Sequence, residues 1–81
     1  MPRIRRRGVP RALLQHLFDR VDERAISVEQ LQLFATWLEL EPEVPEAQWF
    51  KQFPEMIVCG EGEFVKTFLR SGQIPVGQEV A

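Results

Sequence analysis

Cysteine occurs once in the chain, as Cys59, and histidine once, as His16. A single cysteine excludes a disulfide within the chain, and one Cys with one His is too few ligands for a structural zinc site. The sequence therefore implies no metal and no bound cofactor, and its sparse cysteine suits a cytoplasmic setting. Long apolar runs are also missing: none approaches the roughly 18 residues that cross a bilayer, so no transmembrane segment is expected. No apolar stretch of about 7 or more residues follows the basic amino terminus, so that segment does not read as a secretory leader. What remains is the balance of a folded globular protein, 44% hydrophobic and 27% charged.

Eighty-one residues make one domain with a thin core. Residues 1–11 hold Arg3, Arg5, Arg6, Arg7 and Arg11 and carry +5, while the rest carries −7. A basic arm on an acidic body is the most informative feature of the composition. The arm, residues 1–9, contains Pro2 and Gly8 and has no periodicity, so it reads as extended or flexible. Residues 10–81 then form a single α+β domain.

Pro10 suits the first turn of a helix, where its missing N–H costs nothing. Leu13, Leu14, Leu17, Phe18 and Val21 follow as one apolar stripe, predicting an amphipathic helix that ends near Arg24. Ser27 and Gln30 have the spacing of a capping box for a second helix over residues 28–40. That helix carries two apolar surfaces: Val28, Leu31, Phe34, Ala35 and Leu38 on one, Leu33, Trp37 and Leu40 on the other. Such a helix needs cover on two sides, from the first helix and a sheet, or from a dimer partner. Pro42 and Pro45 stop it.

Residues 48–53 fit either a short strand or a helical turn. Residues 55–59 read as a strand, Gly60-Glu61-Gly62 as a turn, and residues 63–70 as the returning strand. Pro75 limits residues 74–76 to an edge strand or a tail. The expected fold is α+β, two N-terminal helices packed on a small antiparallel sheet in the order α-α-β-β-β.

Four groups of side chains invite a function. Arg3, Arg5, Arg6, Arg7 and Arg11 can each neutralise a phosphate, so the arm is a candidate for RNA, another polyanion or an acidic partner. It can also fold onto its own acidic body or serve simply as a solubilising tail. His16, Arg20 and Arg24 lie at i, i+4, i+8 on the first helix and can serve phosphate chemistry or form a solvated face. Leu33, Trp37 and Leu40 are the candidate surface for an unknown protein partner or a homodimer. Lys66 sits between Phe64 and Phe68 in the return strand, an arrangement that packs a core or stacks on bases. Cys59 at a strand end reads as buried and unreactive. Gly60-x-Gly62-x-x-x-Lys66-Thr67 is not a phosphate loop, because Val65 rather than glycine precedes Lys66.

His16-x-x-x-Arg20-x-x-x-Arg24-x-Ile26-Ser27, with the amphipathic helix after it, resembles the start of small RelE/ParE-like toxin proteins. The stretch from Gly62 to Ile74 resembles their final hairpin. The resemblance covers about half the chain and implies two helices followed by an antiparallel sheet. In its ribonuclease members it implies metal-free RNA cleavage, with His16 moving the proton, Arg20, Arg24 and Lys66 stabilising phosphate, and Thr67 accessory. Ala25 stands where such proteins often have glycine, and the acidic body departs from their basic character.

The sequence on its own favours a small non-enzymatic binding protein. Its second helix would serve a protein partner or self-association, and its arm phosphate or an acidic partner. A toxin-like endoribonuclease and a structural subunit of a larger assembly are the alternatives.

Overall fold

The computed structural model describes residues 2–23 and 26–80, and among these two α-helices precede four strands. Helix α1 spans Arg11–Asp22 and α2 spans Val28–Glu39. The strands are β1 (Gln48–Gln52), β2 (Met56–Glu61), β3 (Phe64–Arg70) and β4 (Gln78–Glu79). They form one sheet in the order β3-β2-β1-β4. The α+β class and the helices-then-sheet order are as the sequence implies, and residues 48–52 are strand.

The sheet is mixed rather than purely antiparallel. β1 and β3 flank β2 antiparallel, but β4 pairs parallel to β1. The last strand also falls later than expected, because Pro75 offers no N–H to a ladder. Residues 71–77 instead carry the chain from the β3 edge to the β4 edge, with Ile74 and Val76 largely exposed.

Alternation along β3 breaks at Lys66. A bulge there shifts the register, so that Thr67 pairs with Cys59 but Val65 pairs with Gly60. An extra residue in one strand turns the following side chains over. Val65 and Phe68 consequently both enter the core, whereas strict alternation sets Phe68 with Phe64 and Lys66. The face packed by the helices gathers Trp49, Phe53, Met56, Val58, Val65 and Phe68 beneath Leu17, Phe34, Trp37 and Leu38. Paired residues share a face, so Phe50, Ile57, Cys59, Thr67 and Leu69 point to the other side.

Trp49 ties this layer together. Its indole lies across Gly60 of the neighbouring strand, where a Cβ would clash with the ring, and its Nε1 donates to the Gly62 carbonyl at 2.9 Å. Gly62 itself has φ +57 in the two-residue turn between β2 and β3.

The arm is part of the fold. Ile4 is 0% exposed and Val9 and Gly8 are buried with it. Arg3 forms an antiparallel bridge with Glu43, flanked by Ile4 N–H to Pro42 carbonyl at 3.0 Å and Val44 N–H to Pro2 carbonyl at 2.9 Å. Two buried apolar residues and this short ladder hold residues 2–9 where composition alone suggests a flexible tail.

The expected capping box is also built differently. The Ser27 side chain caps no backbone N–H of its own helix. Instead Ser27 N–H and Oγ–H both donate to the Glu55 carboxylate at 3.0 Å, and Gln30 Oε1 accepts the Glu55 N–H at 3.1 Å. Glu55, in the turn between β1 and β2, thus bonds the N-cap N–H as an acidic third helical residue would. It also brings a negative charge to the positive end of α2.

Candidate functional site

The arm's cations meet the carboxyl end of α2. No basic residue occupies the last turn of that helix, whose chain leaves through Glu41 at φ +47. Arg3 Nη1 donates to the Glu41 carbonyl at 2.9 Å, and its Nη2 lies 3.4 Å from Glu43 Oε1. Arg5 Nε lies 3.1 Å from Glu41 Oε1, and Arg6 reaches Glu39 at 3.8 Å. A helix presents unsatisfied carbonyls and a partial negative charge at its end, so guanidinium groups settle there. Three of the five arm arginines are in this way taken up by Glu39, Glu41 and Glu43. Arg7 and Arg11 have no ion-pair partner among the described residues.

Arg3, Arg5 and Arg7 nevertheless share one cleft of about 200 Å³ with Gly8, Glu63 and the half-exposed ring of Phe64. Arg3 and Arg5 lie on the extended stretch of the arm, and Arg7 lies in the short 3-10 turn Arg6–Gly8 that follows it. Lys66 Nζ stands 5.9 Å from the centre of the Phe64 ring. The ring is therefore bordered by the arginine cleft and touched by an ammonium group.

The residues grouped by the toxin resemblance are not gathered at one cleft. His16 is exposed on α1. Arg20 is half-buried, its Nη1 3.5 Å from the Phe68 carbonyl, in a cleft with Glu55, Arg70 and Ser71. Lys66 and Thr67 line a different cleft of about 340 Å³, with Cys59, Leu69, Ile74 and Val76, on the far side of the sheet from α1. Arg24 lies outside the described residues. Burial pushes the Cys59 thiol above its ordinary pKa, which keeps it protonated at neutral pH and makes it a poor nucleophile.

Of the candidate partner surface, Leu33 and Leu40 are 44% and 71% exposed, but Trp37 is only 7% exposed. The Trp37 ring packs 6.4 Å from Phe34, 5.8 Å from Trp49 and 6.2 Å from Phe53. Trp37 leaves the surface because β1, ambiguous in sequence, supplies the aromatic wall that covers it. Leu33 and Leu40 stay on a flank of α2 that neither α1 nor the sheet reaches.

Arg20 and Gln73 have a role that sequence spacing does not signal: they close the outer edge of β3. Arg20 takes the Phe68 carbonyl, Gln73 Oε1 accepts the Arg70 N–H at 2.7 Å, and Gln73 N–H returns to the Arg70 carbonyl at 3.1 Å. With the bulge at Lys66, these bonds leave the edge poorly suited to pairing with another strand.

The chain is thus a small two-layer α+β domain with apolar patches and a cleft lined by three arm arginines. No protein-family model matches it, and neither a curated protein nor a solved structure shows recognisable similarity to it. No helix among the described residues is long and apolar enough to cross a membrane.

Proposed function

We propose that the chain is a non-enzymatic interaction domain that engages a protein partner through the uncovered flank of α2. The exposure of Leu33 and Leu40 carries this reading: both leucines remain in water on one flank of α2 while Phe34, Trp37 and Leu38 of the same helix are buried. The arm supports it indirectly. Three of its five arginines pair within the molecule at the end of α2, which leaves less of its charge for a ligand. The test compares wild type with the Leu33→Glu/Leu40→Glu double variant as bait, with circular dichroism confirming that both are folded. Partners retained by wild type and lost by the variant support the reading. Equal retention overturns it.

The arginine cleft favours a second reading, an anionic ligand that carries a flat ring, such as single-stranded RNA. Guanidinium groups would neutralise phosphate while Phe64 stacks on a base. Deleting residues 1–9 does not test this cleanly, because it also removes Ile4 and Val9 from the core. Labelled single-stranded RNA in EDTA, on native and denaturing gels, tests it with Arg7→Gln and His16→Ala beside wild type. A salt-sensitive shift lost in Arg7→Gln supports the cleft. Cleavage lost in His16→Ala supports the endoribonuclease reading instead. Intact, unshifted RNA leaves the protein-partner reading standing.

A further inference from the structure

The groove between the two helices has a polarity that the Leu33–Leu40 flank lacks. Its floor is Leu17, Phe34 and Leu38, its walls are Leu14 and Phe18 of α1 and Leu31 and Ala35 of α2, Arg6 and Val9 of the arm also line it, and its volume is about 310 Å³. Phe18 on its rim is 49% exposed, an aromatic side chain standing over an apolar slot. Alongside Phe18 the surface of α1 continues as Arg11, Gln15 and Asp22, all exposed. These four residues recur at i, i+4, i+7 and i+11 and form one straight stripe. Arg11 opens the stripe and Asp22 closes it, about 16 Å apart along the axis. Neither has an ion-pair partner within the chain among the described residues.

This stripe is complementary to itself reversed. A two-fold axis perpendicular to α1, passing beside it at the level midway between Gln15 and Phe18, sets Arg11 opposite Asp22 of a second copy, and Asp22 opposite its Arg11. The same axis sets Phe18 opposite Gln15, beside the mouth of the other copy's groove. One axis thus satisfies the charges and the aromatic knob together, and it sets the two α1 dipoles antiparallel. We infer that the occupant of the groove is a second copy of this chain, docked α1 against α1 antiparallel, with each Phe18 entering the groove of the other. A foreign helix would need no such symmetry in the stripe.

This inference is independent of the reading of Leu33 and Leu40, which lie on the opposite flank of α2. The full chain is examined by sedimentation equilibrium over a range of concentrations, with circular dichroism on every variant. Wild type is expected to self-associate to twice its 9.5 kDa mass. Phe18→Glu is expected to be monomeric with an unchanged spectrum, because the ring is half in water. Arg11→Asp and Asp22→Arg are each expected to weaken the dimer roughly ten-fold by setting like charges opposite one another. Mixing these two variants restores both pairs, so a heterodimer is expected to form more tightly than either homodimer. A wild-type monomer at every concentration overturns the inference and leaves the groove to another partner. A dimer indifferent to Phe18→Glu shows that another face is used. A dimer sensitive to Phe18→Glu whose charge variants do not rescue one another rules out the antiparallel register. Each of these three results overturns the inference.

Discussion

Replacing Ile4 with alanine distinguishes an arm that belongs to the domain from one that merely hangs on it. Ile4 has no exposed surface, packs in the core cluster and sits beside the short ladder to Pro42 and Val44. The substitution removes three buried carbons, which is roughly 2.5 kcal/mol in transfer free energy. Gly8, which lies against the Ile4 Cδ1, has no side chain to collapse into the space left behind. Adding a cavity contribution brings the expected loss to about 3 kcal/mol, within the range measured for such truncations. A domain of this size is stable by about 4–12 kcal/mol, so the loss is a large fraction of the total. The melting temperature should fall by roughly 15 °C. Urea unfolding followed by tryptophan fluorescence reads it directly, since Trp37 and Trp49 both leave buried sites on unfolding. Arg3→Gln is the control, because it breaks an exposed ion pair and an exposed hydrogen bond to the Glu41 carbonyl and should cost about 0–1 kcal/mol. A loss below about 0.5 kcal/mol for Ile4→Ala would refute the docked arm, since no buried isoleucine is that cheap to truncate.

Three other perturbations follow from the packing. Gly60→Ala drives a methyl group into the Trp49 indole and towards the Phe64 carbonyl, so it should destabilise by about 1–3 kcal/mol in a urea titration. A neutral result there would mean that the indole does not lie across the strand. Glu55→Ala removes both acceptors from Ser27 and should cost about 0.5–2 kcal/mol, seen as a lower unfolding midpoint with the helical signal retained. Cys59 should react slowly with iodoacetamide at neutral pH and at an ordinary rate once the protein is unfolded. Because its pKa is raised in the fold, the stability that Cys59 contributes is complete below its ordinary value of 9.0 and is lost as pH climbs past it. Cys59→Ala should flatten that alkaline decline, and an unchanged pH profile would assign the decline to other groups.

Local chemistry fixed what local chemistry can fix. The 3.6-residue stripes marked both helices, Pro42 and Pro45 ended the second, and Gly62 with its apolar flanks marked the β2–β3 hairpin. The excess of apolar surface on α2 was equally plain, because a helix with two apolar faces announces that something must cover them. Sequence could not say which of those faces stays bare. Trp37 is buried and Leu40 exposed only because β1 crosses beneath one of them, and strand placement is set by long-range pairing that no local pattern encodes. The bulge at Lys66 is likewise invisible to periodicity, and it decides that Phe68 joins the core while Phe64 stays outside.

Charge behaved in the same way. The sequence determined that five arginines precede an acidic body, which makes some neutralisation of that arm inevitable. Only the tertiary structure decided that Glu39, Glu41 and Glu43 at the end of α2 supply it. The reason is the helix itself, whose unsatisfied carbonyls and three nearby carboxylates concentrate negative charge where the buried Ile4 brings the arm to rest. Capping followed the same logic, because Ser27 marked where α2 begins while its partner, Glu55, lies twenty-eight residues away in sequence and 3.0 Å away in space.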